Sequence, residues 1–241
     1  MRETFLAKFG WEWESKIRIV NYGSELATVS SARPLKDRFR LEHNIPAERI
    51  CVCVGNSASV GNQHLRVLAA LARMSPEKLA RLVVVVPMTY GATPAYLEQV
   101  RRAAQAHPAT VVLLERFLTD AESAALRWST DVLVHVPVSD QFSASMCESI
   151  YAGSVLITGA WLPYSRLRLA GIPYHELEDI ACLPERLDEI LDNIESERQK
   201  AIAAAPKMWD LMAWESVIPR WIRLYREILD KKENGDIECR Q

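Results

Sequence analysis

The chain has 241 residues, enough for a full buried core, and its 49% hydrophobic and 25% charged residues are typical of an ordinary globular protein. Its formal net charge of −2 argues against a nucleic-acid-binding protein, which would carry a basic domain. The longest apolar runs, such as residues 82–88, are too short for a bilayer about 30 Å thick, and no signal peptide is recognised, so we expect a cytoplasmic protein.

From about residue 50 the sequence alternates short apolar runs with amphipathic stretches. Strands are predicted at 50–54, 83–86, 111–114, 132–136 and 155–157, and helices at 64–74, 94–106, from 119 onwards and at 184–205. Pro94 fits a first helical position, and Thr119 with Glu122 fits a capping box. This alternation predicts an α/β fold, a doubly wound parallel sheet with helices on both faces and ligands at the carboxyl ends of the strands.

The two ends of the chain differ from this pattern. Residues 1–30 contain a strand-like run at 17–20 but no complete α/β unit, so we predict a linker or the remnant of an N-terminal half. The α/β domain is expected at 31–205, a tryptophan-rich C-terminal helix at 206–230 and a flexible tail at 231–241. The five cysteines form no C-x-x-C pair, which predicts reduced thiols and no metal site.

The most informative stretch lies between the fourth and fifth predicted strands. Asp140 and Glu148 stand eight residues apart around the predicted start of a helix. The positive end of a helix attracts anions, and a carboxylate accepts hydrogen bonds from sugar hydroxyls. Because this helix would begin at the carboxyl edge of the sheet, the pattern suits a nucleotide sugar.

The stretch resembles the acid-x7-acid motif of retaining GT-B glycosyltransferases, whose usual form is Glu, Pro, Phe, Gly, several apolar residues, Glu, Ala and then a Gly before the next strand. Phe142, Glu148 and Gly153 match it by position, whereas Asp140 replaces the first Glu and Ser143 the Gly. The strand and loop at 111–118, with the helix after them, are also similar to this family's base-binding loop.

A narrower resemblance is to the transferases that add a fucosamine-type sugar to a lipid-linked carrier in enterobacterial common antigen assembly. It involves Gly55-Asn56-Ser57, Asn62-Gln63-His64, residues 84–91, Tyr96 and Val100. Together the two resemblances cover about residues 45–229. They imply the C-terminal, nucleotide-binding, Rossmann-like half of a GT-B enzyme. The acceptor-binding half would precede it, yet fewer than 50 residues come before the first predicted strand, so we expect activity to need an N-terminal half or a partner chain.

The resemblance assigns roles around the acid motif. Glu148 would bind the ribose hydroxyls, or else be a surface glutamate favoured by the helix dipole. Asp140, the predicted catalytic residue, would face the hydroxyls or the reacting centre of the donor sugar, or else be a helix cap or a loop acid. Phe142 would line the site, and the diphosphate would rest on the backbone N–H groups of Ser143, Ala144 and Ser145. No side-chain nucleophile is assigned.

Other loops at the same edge supply the remaining candidates. In relatives the loop after the first strand carries an Arg and a Lys that neutralise the diphosphate. Here the predicted binding residues of that loop are Gly55, Asn56, Asn62 and His64, with Arg66 a little beyond. His64 would partly replace the missing cations, or else be solvated. Phe117 and Leu118 would contact the base or form a core loop, and Tyr90 would close over the ligand or pack within its loop.

The sequence therefore predicts a glycosyltransferase of hexosyltransferase type, acting in cell-surface polysaccharide or glycolipid assembly. Its donor would be a nucleoside diphosphate sugar and its acceptor a lipid-linked molecule or a glycan. We expect no cofactor, and no metal is expected because an Asp-x-Asp motif is missing. A non-catalytic nucleotide-sugar-binding module and a GT-B-type epimerase are the alternatives. The basic, aromatic residues 214–226 would either pack on the domain or attach it to the inner face of a membrane.

Overall fold

The computed structural model describes residues 2–233; Cys239 and most of the predicted tail at 231–241 lie outside them. Six strands are β1 (Ile50–Val54), β2 (Leu82–Pro87), β3 (Thr110–Leu114), β4 (Val132–His135), β5 (Val155–Gly159) and β6 (His175–Leu177). The helices are α1 (Arg2–Phe9), α2 (Leu26–Ser31), α3 (Lys36–Glu42), α4 (His64–Leu71), α5 (Pro76–Ala80), α6 (Pro94–Gln105), α7 (Asp120–Ser129), α8 (Ala144–Tyr151), α9 (Ser165–Leu169), α10 (Leu183–Asp192), α11 (Ile194–Ala203), α12 (Ala205–Met212) and α13 (Trp214–Glu233). Short 3-10 helices lie at Trp11–Lys16, Arg33–Leu35, Val60–Asn62 and Ile180–Cys182.

All six strands are parallel and form one sheet in the order β3-β2-β1-β4-β5-β6. The order runs outwards in both directions from the adjacent pair β1 and β4. At such a switch point the loops that follow the two central strands diverge, which leaves a crevice at the carboxyl edge. The predicted α/β fold with a helical C-terminal end is confirmed.

Alternate side chains of strands β1 to β5 enter two separate cores. Val52 and Val54 of β1 belong to the core under α4, α6 and α10. Cys51 and Cys53 belong to the core on the other face, which includes residues of α7, α8 and α12. Because both faces of the sheet are covered, β2, β4 and β5 are buried throughout and β1 is buried except at its first residue, as expected for a parallel sheet.

Local capping signals predicted two helix starts correctly. Pro94 is the first residue of α6, and both halves of the capping box between Thr119 and Glu122 are present at α7. The single helix predicted at 184–205 is wrong. It is two helices, because the backbone breaks at Asn193 (φ −122°, ψ 20°), whose side chain donates a hydrogen bond to the Glu189 carbonyl. The helix predicted at 64–74 ends at Leu71.

The N-terminal segment contains helices α1 and α2 and contributes no strand to the sheet. The strand-like run at 17–20 joins no sheet, and an isolated parallel bridge links Ser24 to Ala213 instead. Trp221 of α13 packs against this segment and donates a hydrogen bond from Nε1 to the Asn21 carbonyl at 2.7 Å. At Trp221, α13 therefore packs on the protein, which was one of the two alternatives for residues 214–226. Within residues 2–233, every helix is too short or too polar to cross a membrane.

Candidate functional site

Two loops meet at the switch point of the sheet. The loop after β1 (residues 55–63) is bonded both to β4 and to the loop after β4 (residues 136–143). The N–H of Val138 donates to the Gly61 carbonyl at 2.8 Å, and the N–H of Gly55 donates to the carbonyl of Val134, in β4, at 3.0 Å. Gln63 adds a side-chain bond from Nε2 to the Val136 carbonyl at 2.7 Å. The two loops therefore hold each other in place, as expected of a largely pre-formed site.

The N-terminus of α8 lies in this crevice, and Ser143, Ala144 and Ser145 are partly exposed there. Asn56 reaches over from the loop after β1 and donates from Nδ2 to Ser145 Oγ at 2.8 Å. Ser143 Oγ and Ser145 Oγ also lie 2.8 Å apart. Helix geometry leaves the N–H groups of Ala144 and Ser145 without intrahelical partners, so this tip has free donors for an anion. Four of the predicted residues are thus brought together.

Asp140 closes the loop that leads into α8. Its carboxylate accepts hydrogen bonds from the Ser143 N–H at 2.8 Å and from the Tyr164 hydroxyl, and it lies 3.5 Å from His135 Nε2. Burial alone would raise the pKa of Asp140. Hydrogen bonds and charge from His135, Tyr164 and the Ser143 N–H lower the pKa by more than burial raises it, so the net pKa is well below its usual value. Asp140 is therefore ionised at neutral pH. Because Asp140 accepts a hydrogen bond from Ser143, the N-cap residue of α8, its contacts resemble those of the helix cap considered above. The catalytic role of Asp140 stays a prediction.

Glu148 lies one turn further along α8, with a side chain that is 20% exposed. Its Oε1 accepts a hydrogen bond from Ser24 Oγ at 2.9 Å, and its Oε2 lies 3.3 Å from Nε of the buried Arg127. This carboxylate is held by two elements and is not a freely solvated surface group. An ionised carboxylate has about four acceptor positions, so capacity for ligand hydroxyls remains. Its ribose-binding role is not tested by these contacts.

Phe142 has a left-handed backbone (φ 82°), which is unusual for a residue with a side chain. Its carbonyl accepts a hydrogen bond from the Tyr22 hydroxyl, and its ring packs edge-on against Tyr164 with centroids 6.0 Å apart. Such a conformation costs on the order of 1–3 kcal/mol and persists where its surroundings enforce it, often at functional sites. Tyr22 was missed by the sequence analysis because no local pattern relates it to residue 142.

Two of the predicted loop residues lie beneath the loop. Asn62 is buried and donates from Nδ2 to the Ser57 carbonyl at 2.9 Å. His64 is fully buried, and its Nδ1 lies 3.1 Å from the Tyr96 hydroxyl. Burial lowers the pKa of His64 to about 4, despite an opposing contact with the Ser57 backbone. His64 is therefore neutral at pH 7, and both the expectation that it adds positive charge and the solvated alternative are wrong.

Gly55 lies directly above this histidine. Its φ is +70°, and a Cβ atom at this position would be 3.0 Å from His64 Nε2. A side chain at residue 55 would therefore meet both backbone strain and a close contact. Gly55 shapes the loop, and since the residue is buried, a ligand contact through its backbone stays a prediction.

The outer candidates form a separate group. Tyr90 and Phe117 are exposed, at 58% and 74%, and their rings lie 6.3 Å apart. The Tyr90 carbonyl accepts from the Ala58 N–H at 2.8 Å, which joins the loop after β2 to the loop after β1. Leu118 is buried at 8% exposure. Tyr90 and Phe117 are thus an aromatic pair open to a ligand, whereas Leu118 matches the core-loop alternative.

Two arginines near this edge of the sheet differ in whether they are paired. Arg66 lies 3.3 Å from the Asp179 carboxylate. Arg166, in the first turn of α9, is partly buried and makes no side-chain hydrogen bond or ion pair within residues 2–233. Burial and the charge of Arg220 lower its pKa. Arg166 follows Tyr164, which contacts Asp140, so it is a candidate cation that the sequence analysis missed.

In the same described range, no cluster of three or more His, Cys, Asp or Glu residues could hold a metal ion.

A comparison with models of protein families finds no match, and a comparison with curated proteins finds none either. Solved structures do match. Sucrose-phosphate synthase from Thermosynechococcus elongatus is 18% identical with a TM-score of 0.72, over 95% of this chain and 56% of that one. A glycosyltransferase from Rickettsia africae is 13% identical with a TM-score of 0.78, over 94% and 61%. Anabaena HepE, solved with UDP-glucose, is 12% identical with a TM-score of 0.74, over 94% and 61%.

These neighbours are GT-B glycosyltransferases, and this chain spans between 56% and 61% of their length. At such identities the likeness concerns the fold. The narrower similarity to transferases of enterobacterial common antigen assembly stays a prediction. The chain therefore has the α/β fold of GT-B glycosyltransferases over the part of them that it spans.

Proposed function

We propose that this chain binds a nucleoside diphosphate sugar in the crevice between the loops after β1 and β4, as the donor-binding part of a glycosyltransferase. The observation that carries the proposal is the arrangement of α8. An open helix tip lies at the switch point of the sheet, with the ionised Asp140 before it and Glu148, held by Ser24 and Arg127, one turn behind it. The fold shared with HepE, which was solved with UDP-glucose, supports the choice of ligand.

Each part of the ligand has a chemically matched partner. The diphosphate is proposed to accept hydrogen bonds from the N–H groups of Ala144 and Ser145, where the helix dipole favours negative charge. Arg166 would supply a positive charge that the loop after β1 lacks. The free lone pairs of Glu148 would accept from the ribose hydroxyls, and the exposed Tyr90 and Phe117 would pack against the base.

In the transfer itself, the bond between the anomeric carbon and the diphosphate oxygen breaks, a bond to the acceptor hydroxyl oxygen forms, and the proton of that hydroxyl passes to the departing diphosphate. The departing diphosphate gains negative charge, so donors at the α8 tip and the Arg166 guanidinium would stabilise it. Asp140 is proposed to contact the donor sugar near the reacting carbon. The transferred residue would be hexose-like, and the setting would be cell-surface polysaccharide or glycolipid assembly.

Glu148→Ala tests the proposal. We expect wild type to bind at least one of UDP, GDP, ADP and dTDP in isothermal titration calorimetry, and the variant to bind it at least tenfold more weakly. The reason is the loss of hydrogen bonds to a charged group, each contributing about 1.5–3 kcal/mol. Equal affinities would refute the role of Glu148, and a wild type that binds none of the four nucleotides would refute the donor site.

Glu197→Ala is the matched control. Glu197 is also a partly buried, paired carboxylate, 2.8 Å from His175 Nε2 and 2.7 Å from Lys200 Nζ, but it lies on α11. Its replacement should leave nucleotide affinity unchanged. Because Glu148→Ala also leaves Arg127 unpaired, the melting temperature of both variants should be measured without ligand, so that lost folding is not taken for lost binding.

The second candidate is a nucleotide-sugar-binding module without activity of its own. One observation favours it: Arg66, the cation just after the loop that follows β1, is paired with Asp179. Incubation with radiolabelled nucleotide sugars separates the two functions. Transfer or hydrolysis supports the enzyme, whereas saturable binding without turnover supports the module.

A further inference from the structure

Residues 17–25, here called the N-terminal strap, are fixed across the junction of α12 and α13. Asn21 donates from Nδ2 to the Leu211 carbonyl at 3.0 Å, and the Ser24 N–H donates to the Met212 carbonyl at 2.7 Å. Both residues are buried, at 8% and 5% exposure. A Cβ atom at Gly23 would lie 2.2 Å from the ring of Trp214, so only glycine allows this close approach. The path of the strap is therefore determined.

From this position the strap contacts α8 at one point and the loop before α8 at another. The hydroxyl of Ser24 donates to Glu148 Oε1 at 2.9 Å, and the hydroxyl of Tyr22 donates to the Phe142 carbonyl. Glu148 and Phe142 both belong to the crevice, one behind and one before the helix tip. Both contacts join residues more than 100 positions apart in the chain.

We propose that the strap is a part of the nucleotide-sugar site, in which Ser24 positions Glu148 and Tyr22 positions the tip of α8. This inference rests on the proposed function. Ser24 and Arg127 hold one carboxylate oxygen each, so the carboxylate cannot rotate without breaking a bond. Without Ser24, only Arg127 would orient the Glu148 carboxylate. The carboxylate would then lose its rotational freedom only when the ribose binds, and this ordering would weaken binding.

Tyr22 acts on the other end of the tip. Phe142 directly precedes Ser143, so its left-handed backbone sets the direction in which the chain enters α8. The bond from the Tyr22 hydroxyl fixes the carbonyl of this strained residue. Losing it lets the loop relax and moves the N–H groups proposed to bind the diphosphate.

A double-mutant cycle tests the Ser24 contact, with Ser24→Ala, Glu148→Ala and the double variant titrated against UDP, or against whichever of GDP, ADP and dTDP the wild type binds. We expect Ser24→Ala to weaken binding three- to tenfold. In the Glu148→Ala background it should cause no further loss, because Ser24 acts through Glu148. With the 2′,3′-dideoxy form of the nucleotide, Ser24→Ala and wild type should bind equally.

Ser154→Ala is the control for a lost buried hydroxyl, since Ser154 is 2% exposed, donates to the Thr130 carbonyl at 3.0 Å and precedes β5 at the other edge of the sheet. It should bind as wild type does. Tyr22→Phe should weaken UDP binding and leave the affinity for uridine, which has no phosphates, unchanged. If the wild type binds another of the four diphosphates, that nucleotide and its nucleoside replace UDP and uridine in these experiments.

The outcomes separate the two proposals. Equal UDP affinity of wild type and Ser24→Ala, additive losses in the cycle, or an equal loss with the dideoxy nucleotide would each overturn the Ser24 contact. An equal loss of UDP and uridine affinity in Tyr22→Phe would overturn the role of Tyr22. A wild type that binds no nucleoside diphosphate would overturn the proposed function, and the strap's role with it.

Discussion

Asp131→Ala is expected to lower the free energy of unfolding by about 3–5 kcal/mol, the loss typical of breaking a buried ion pair from one side. Asp131 is 5% exposed, and its carboxylate lies 3.3 Å from Arg40 Nη1 and 3.3 Å from Arg198 Nη2. It also accepts a hydrogen bond from the Cys51 N–H at 2.8 Å. Removing the acid leaves the buried Arg40 guanidinium without its counter-charge and the Cys51 N–H without this acceptor.

Urea unfolding followed by circular dichroism measures this loss, and Glu189→Ala is the control. Glu189 pairs with Arg186 across 2.7 Å, and the two side chains are 64% and 41% exposed. A pair of this kind contributes about 0–1 kcal/mol. A loss below 1 kcal/mol for Asp131→Ala would mean that water replaces the carboxylate without cost. The contacts of Asp131 with Arg40, Arg198 and the Cys51 N–H would then not be what stabilises the packing of β1 against β4.

Much of the architecture follows from local signals in the sequence. The first turns of α6 and α7 were predictable because Pro94 and the pair Thr119 and Glu122 act within one helical turn. The break at Asn193 was missed because a single residue makes it, with apolar residues continuing on both sides. Local patterns thus predict where a helix begins more readily than where one helix ends and a second helix follows it directly.

The crevice itself was predictable from topology. Asn56 and Ser145 are 89 positions apart, yet they meet because parallel strands place their carboxyl ends at one edge and β1 adjoins β4. The strap contacts of Tyr22 and Ser24 follow no such rule. They depend on how a non-repetitive segment crosses α12 and α13, and the sequence carries no pattern for that path.

The error at His64 had a visible signal. His64, Val67, Leu68 and Leu71 stand at the spacing of one helix face, and the other three are fully buried or nearly so. A histidine on that face faces the core. Its polarity suggested a ligand contact, whereas its position in the helix predicts burial against Tyr96.

Burial of His64 has a consequence for stability. In the unfolded chain its pKa is about 6.5, whereas in the folded protein burial lowers it to about 4. The unfolded state therefore binds a proton first as the pH falls, and stability declines between pH 6.5 and 4 while it is unaffected above pH 7. The shift corresponds to roughly 3 kcal/mol, fully lost below pH 4.

Comparing wild type with His64→Gln isolates this contribution from the carboxylates, which titrate in both proteins over the same range. The difference between their free energies of unfolding should change by about 3 kcal/mol from pH 7 to pH 4, in favour of the variant at the acidic end. The imidazole signals of His64 in NMR spectra should stay those of a neutral ring down to pH 5. A titration midpoint near 6.5 would instead mean a solvated histidine, and would restore the interpretation of His64 as a source of positive charge beside the diphosphate.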